Sequence, residues 1–442
     1  MRRTLHNPCL RNSLLATVTR EVNKVGCRLV ASTASKSFPF VQDEEVDICI
    51  EDLTNLGLGI GRKVIGNGAS WVVMVPFVLP GERVRVKIHH NYKTYSEASL
   101  VEVQTPSADR ITPKCQHFAT CGGCQYQHMS ISSQRSWKQS QVATAMTKIA
   151  GLSDITVNKT VGTSHEYYYR SKITPHLQRS SAGDQKVCVG FQQRNTRDIV
   201  DVKHCMVASK LINAKYTHLR DILMSSSSNA KFKEGPMLLR ESNNGTVVTD
   251  GNKDVQQKVG DIEFQFQARE FFQNNPYVLE LLVQHVLDKA VGHGCKHLVD
   301  TYCGSGLFAL SAAKHFQSVY GVEISTLSVD AAQNNAKRNY VNHVKFVKGD
   351  AKTVFSKLKK VPPSETVVIV DPPRKGCDTS FMNQLLAFKP RKIVYISCEP
   401  TTQARDAKRI VQEGGYKITD LTPFDMFPQT RHIENVITFV LP

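Results

Sequence analysis

Two residues of reactive type stand at the edges of apolar runs. Cys398 closes the β-branched stretch in IVYISCEP (393–400), and Glu434 in HIENV (432–436) opens another. A thiolate is a strong nucleophile that also leaves readily, and a carboxylate can take a proton. Taken singly, a cysteine of this kind packs in a core more often than it reacts, and a glutamate sits on a surface. More carboxylates end apolar runs: Glu323 in GVEIS, Asp350 in VKGD and Asp371 in VDPPRKG. Before them comes VDTYCGSGLFAL (299–310), where Gly304 and Gly306 let backbone approach a ligand closely. The dinucleotide pattern GxGxxG is not completed, because position 309 is Ala. A Gly turn followed by strand-end acids, placed to accept ribose hydroxyls and to meet an adenine edge, favours S-adenosylmethionine over NAD. A third group is Cys115, Cys121 and Cys124, spaced C-x5-C-x2-C, with Cys205 in KHCMVAS far downstream. Four thiolates hold either tetrahedral zinc or an iron–sulfur cluster, and the spacing does not choose between them.

These groups need a scaffold, and the hydrophobic pattern supplies one. From Phe271 onward KHLVDTY, SVYGVEI, VKFVKGD, TVVIVDPP, KIVYISC and NVITFVL alternate with helical segments. That alternation predicts an α/β domain with a doubly wound, mostly parallel sheet and a ligand site at the strands' carboxyl ends. An antiparallel last strand would bring Glu434 to the edge where Cys398 stands. From Asp43 to about Thr105, short β-branched runs broken by Gly turns predict a small OB-like β-barrel. Residues 107–270 begin with the cysteines and mix a polar helix near 130–150 with strands, an α+β region; Ser225–Ser228 with Asn229 is a polar loop.

No run reaches the roughly 18 apolar residues of a membrane-spanning helix. The first 40 residues hold seven Lys or Arg, one acid and eight Ser or Thr, with basic residues interrupting every apolar stretch. This is the composition of a mitochondrial transit peptide, and it places the protein in the matrix. Of the formal net charge of +17, that segment carries +6 and leaves +11 on the rest, which suits a polyanion such as RNA.

The ordered set FFQNN (271–275), DTYCGSG, GVE, DPPRKG, YISCEP and HIENV resembles the RNA uracil-C5 methyltransferase family, whose catalytic domain is a class I Rossmann-like fold. LGLGIGR with VPFVLPGERV looks like a TRAM domain, and CQHFATCGGCQYQH like the family's cluster segment. Beyond the transit segment (1–40) read from composition, the resemblance implies three parts: a TRAM barrel (43–106), a central domain (107–270) and a methyltransferase domain (271–442). It gives Gln273, Tyr302, Glu323, Asp350 and Asp371 to the cofactor, Cys398 the role of nucleophile and Glu434 that of base. It favours a 4Fe-4S cluster over zinc on the four cysteines. The expected substrate is a uridine in tRNA, ribosomal RNA or both, and the expected state a monomer. Leu307 departs from relatives that carry a polar residue there, which puts one cofactor contact in doubt. Arg374 and Lys375 either touch substrate phosphate or form a solvated basic turn. YYYRSK (167–172) and FQQRNTR (191–197) either clamp RNA or form an ordinary amphipathic strand pair.

Overall fold

The computed structural model describes residues 38–66, 68–179, 187–225, 234–349, 354–355 and 361–442. Asp350, the segment up to residue 37 and the polar loop from 226 lie outside them. The chain divides into Met1–Pro39 and Phe40–Pro442, and the elements below belong to the second unit.

Strands β1 (Glu45–Leu53), β2 (Leu58–Val64), β3 (Ser70–Pro76), β4 (Arg83–Asn91) and β5 (Tyr95–Thr105) close into a barrel in the order β1-β2-β3-β5-β4. Alternation in VDICIEDL turns Ile48 and Ile50 inward and leaves Cys49 and Glu51 exposed. They meet Val73, Val75, Val84, Val86 and Ile88 in one small core. Gly59 lies so close to Val78 and Ile50 that a Cβ would collide with Val78. A glycine there is therefore a packing requirement.

After the barrel, Ser130 caps α1 (Ile131–Ala145) by accepting the Ser133 N–H at 3.2 Å, and the helix widens into a π turn ending at Ala150. Short strands follow: β6 (Lys172–Ile173), β7 (His176–Arg179), β8 (Val187–Gln192), β9 (Ile199–Asp201), β10 (Gly235–Pro236), β11 (Leu239–Glu241) and β12 (Val247–Val248). They form two small sheets, β10-β7-β8-β9 and β12-β11-β6. Helix α2 (Lys210–Ser225) covers them with Ile212, Tyr216 and Leu223. The expected strand pair is only partly present. Phe191 and Gln192 lie in β8, but Tyr167–Tyr169 precede β6, and Tyr168 takes a left-handed φ of 56° that ends any extended run.

The hairpin β13 (Asp254–Val259) and β14 (Ile262–Gln267) leads into α3 (Pro276–Ala290). Then come β15 (His297–Thr301), α4 (Leu307–Ala312), β16 (Ser318–Glu323), α5 (Thr326–Arg338), β17 (Val344–Lys348), β18 (Thr366–Val370), α6 (Thr379–Phe388), β19 (Lys392–Ser397), α7 (Pro400–Gln412), β20 (Lys417–Phe424) and β21 (Glu434–Val440). The sheet order is β17-β16-β15-β18-β19-β21-β20. β15 to β19 pair in parallel, and β21 runs antiparallel between β19 and β20. Strands β18 and β19 are buried at every residue, as expected of a parallel sheet covered on both faces. Strand β20 was not anticipated. Lys417 and Asp420 interrupt its apolar pattern and Pro423 cannot donate to a ladder, which the sheet tolerates because β20 is an edge.

Candidate active site and cysteine cavity

The order in which the chain adds strands reverses between β15 and β18, and the crevice at such a switch point is where open α/β sheets take ligands. After β15 the turn Tyr302–Gly306 has positive φ at Tyr302 (63°), Gly304 (52°) and Gly306 (90°). A Cβ on Gly306 would press on Phe346 at 3.0 Å, whereas the space beside Gly304 is open. Glu323, ending β16, braces this turn: its carboxylate accepts the Gly304 N–H at 3.1 Å and the Ser325 N–H at 2.8 Å. The Tyr302 ring rests edge-on against Phe381, with centroids 5.5 Å apart.

Asp300 was missed as a contributor. It is fully buried, and one carboxylate oxygen accepts the Ala309 N–H of α4 at 2.9 Å. The other finds no hydrogen-bond partner among the described residues. Burial, then the charges of Asp371 and Glu323, push its carboxyl well above the usual range. An acid inside an otherwise apolar strand, VDT, was the available signal. Gln273 is buried just before α3. Its neighbour Asn275 caps that helix and donates to the Met426 carbonyl at 3.0 Å, while the Asn274 carbonyl accepts the Ser171 N–H at 2.8 Å. Tyr302, Glu323 and Asp371 thus meet at one sheet edge, and Gln273 sits on a segment tied to the 426 loop.

At the same edge Cys398 follows β19 and Glu434 begins β21. The antiparallel register pairs Ser397 with Asn435, so the next step of the ladder sets Cys398 beside Glu434. The thiol feels the carboxylate, and both feel Asp371 and Arg374. Burial, then Glu434 and Asp371, push the Cys398 thiol up to about 12, while Arg374 opposes them by its charge and a hydrogen bond. Burial and Asp371 raise Glu434 well above the usual carboxylate range, again against Arg374. Burial raises Asp371 to about 7. Arg374 also lies 3.5 Å from His432, and burial together with Arg374 lowers that imidazole to about 3. Asp371, Glu434 and the Cys398 thiol, opposed by the one guanidinium of Arg374, favour protonated forms and would welcome a cation.

The loop that delivers Glu434 is anchored by α1. Lys138 and Asp425 form an ion pair at 2.6 Å with both side chains fully buried, and Lys138 also donates to the Phe427 carbonyl at 3.2 Å. Arg135 adds a second contact to Asp425 at 3.3 Å. One turn away, Gln134 donates to the Gln429 side chain at 3.0 Å and accepts the Gln429 N–H at 2.9 Å. A polar helix was expected here, and its buried face carries Gln134 and Lys138 beside Val142 and Ala145. Lys138→Met leaves Asp425 without its closest partner, and the expected loss is about 3–5 kcal/mol of stability. A chemical-denaturation midpoint equal to wild type would contradict this.

Cys115, Cys121, Cys124 and Cys205 all line a single cavity of about 240 Å³, closed by Phe118 and Phe191 among others. Backbone bonds set its walls: Gly122 N–H to Gln192 O at 2.9 Å and Arg194 N–H to Thr120 O at 3.1 Å. Asn213 grips Cys205 by accepting its N–H at 2.9 Å and donating to its carbonyl at 3.0 Å. Burial and the neighbouring thiols raise Cys121 to about 11 and Cys124 to about 12. Among the described residues, no three His, Cys, Asp or Glu side chains stand in ready-made metal-binding geometry. Of YYYRSK, Tyr169 is buried and its hydroxyl donates to the Pro428 carbonyl at 2.9 Å, while Tyr167 and Tyr168 stay half-buried.

Comparison with known proteins agrees with this geometry. Residues 240–440 match the family model of tRNA (uracil-5-)-methyltransferases, and residues 42–101 match the TRAM domain. A tRNA (uracil(54)-C(5))-methyltransferase of Schizosaccharomyces pombe is 39% identical over 431 residues, covering 93% of this chain and 81% of its own. An uncharacterized RNA methyltransferase of Listeria innocua is 32% identical, covering 90% and 98%. The crystal structure of Pyrococcus abyssi tRNA (uracil-54, C5)-methyltransferase with S-adenosyl-L-homocysteine superposes with a TM-score of 0.68 at 24% identity, covering 89% of this chain and all of that one, a likeness of fold. With the barrel, the switch point of the sheet and these relatives in agreement, the chain belongs to the tRNA (uracil-5-)-methyltransferase family of RNA-modifying enzymes.

Proposed function

We propose that this chain methylates carbon 5 of a uridine in tRNA, with Cys398 as nucleophile and Glu434 as base. The observation that carries the reading is their position next to the terminal Ser397–Asn435 pair of β19 and β21, with Asp371 acting on both. The open side of Gly304, the unpartnered Asp300 oxygen and the converging acids fit S-adenosylmethionine, held by Gln273, Tyr302, Glu323 and Asp371. When bound it supplies a methyl group on a cationic sulfur, whose charge also favours ionised Asp371 and Glu434.

Carbon 5 of uracil is a weak nucleophile. The Cys398 thiolate forms a bond to carbon 6, and the ring's π electrons move to an enolate that is nucleophilic at carbon 5. Carbon 5 takes the methyl group. Glu434 then removes the carbon 5 proton, the carbon 5–carbon 6 double bond re-forms, and the cysteine leaves as thiolate. Such a base cannot stay stacked, so the uridine is flipped out or drawn from a loop. RNA containing 5-fluorouridine tests the scheme, because fluorine cannot be removed as a proton is. A stable protein–RNA adduct formed with S-adenosylmethionine is expected, and its absence with every tRNA tried would sink the proposal.

The four cysteines suit a 4Fe-4S cluster, since soft thiolates spread around an apolar cavity match a body larger than one ion. Its role is structural, because methyl transfer moves no electron. Anaerobically purified protein is expected to contain iron and acid-labile sulfide and to lose both in Cys124→Ser; colourless protein with neither refutes the assignment. The composition of residues 1–40 supports delivery to the mitochondrial matrix. A reporter fused to that segment that stays outside mitochondria would refute it.

A further inference from the structure

Away from the reacting edge, between the central sheets and α3, lies a groove of about 790 Å³ lined by Lys114, His165, Tyr167, Tyr168, Lys210 and Tyr277. Glu166 and Glu241 also line it. Its aromatic groups are not core residues: His165 and Tyr277 are exposed, and Tyr167 and Tyr168 are half-buried. His165 and Tyr277 lie parallel, 3.6 Å apart and 2° from coplanar, so each keeps one face free of the other. Lys114 sits 5.0 Å from the centre of the Tyr167 ring and Lys210 6.0 Å from that of Tyr168. Ring faces interleaved with ammonium groups are how proteins hold unpaired nucleic acid, with bases on the rings and phosphates on the lysines. The two carboxylates argue against a simple phosphate track. They accept hydrogen bonds, so they suit a base with an exocyclic amine.

The groove is also linked to the site through neighbouring residues. Tyr277 follows Asn275, which holds the Met426 carbonyl, and Tyr168 precedes Tyr169, which holds the Pro428 carbonyl. Both bonds reach the loop that delivers Glu434.

We propose that this groove docks unpaired nucleotides neighbouring the target uridine, stacking an amine-bearing base on the His165–Tyr277 and Tyr167–Tyr168 rings with Lys114 and Lys210 on the phosphates. The inference rests on the chain acting on RNA, so the test reads binding separately from methyl transfer. A short single-stranded RNA carrying 2-aminopurine, an amine-bearing purine whose fluorescence falls on stacking, is titrated with intact protein. Wild type is expected to quench it. The double variant His165→Ala/Tyr277→Ala is expected to bind roughly tenfold more weakly with little quenching, and Lys210→Gln to lower the salt dependence by about one phosphate contact. These side chains are solvent-facing, and an unchanged melting temperature verifies folding. With tRNA as substrate, the double variant is expected to raise KM while kcat stays within about twofold, the pattern of lost uniform binding. No quenching by wild type, or equal quenching and affinity in the double variant, overturns the proposal. Quenching by a protein that methylates no RNA supports the groove and overturns the functional reading alone.

Discussion

Cys398→Ala is expected to reduce single-turnover methyl transfer by about 10,000-fold or more, because without addition to carbon 6 the uracil has no nucleophilic carbon 5. The substitution removes one sulfur from a half-buried strand end, so stability should change little. Transfer of labelled methyl from S-adenosylmethionine to tRNA measures the rate, and the 5-fluorouridine adduct should vanish in parallel. Activity within tenfold of wild type would show that the thiol packs and does not react.

Glu434→Gln should produce the opposite accumulation. Addition and methyl transfer still occur, but the carbon 5 proton stays, the cysteine cannot be expelled, and a covalent complex should build up on ordinary uridine-containing tRNA. Glutamine keeps the shape and removes only the base. Denaturing gels read the shifted band, and turnover without such a band would reassign the base. The same pair sets the pH dependence. Both groups must be ionised to act, and both are held above their ordinary values, so the ionised fraction rises with pH. Wild-type single-turnover methyl transfer should climb by up to about tenfold per unit from about pH 6.5 to 9 as the Cys398 thiolate forms, and Glu434→Gln should keep that climb while losing the later release of RNA that the ionised carboxylate drives. A flat wild-type profile contradicts the assignment.

Much of this site was legible because buried parallel strands advertise themselves. TVVIV and KIVYIS are apolar, β-branched-rich runs, and each is followed at its carboxyl end by a candidate site residue, so the positions of Asp371 and Cys398 could be read from the sequence. Glu434 was singled out by the family resemblance, and the antiparallel last strand supplied its position at the same edge. What stayed hidden depends on partners distant in sequence. Nothing local in ISSQRSWKQSQVATA says that Gln134 and Lys138 are buried, because their partners Gln429 and Asp425 lie in the last part of the chain. Tyr169 and Tyr168 are neighbours of one type, yet one is locked in the interior and the other lines a groove; only the positive φ at Tyr168 separates them. Asp350 lies outside the described residues.

The anchoring of the Glu434 loop by α1 also bears on biosynthesis. Lys138 and Asp425 are separated by 287 residues, and Gln134 and Gln429 by 295. A ribosome releases the chain from its N-terminal end at about 5–20 residues per second, so α1 is out for roughly 15 to 60 seconds before its partners exist. Through that interval the lysine has to stay solvated, which keeps α1 from docking in its final place. The site therefore assembles late, and so does the aromatic groove, whose neighbours Asn275 and Tyr169 bond to the Met426 and Pro428 carbonyls; of the parts described, the barrel can form first.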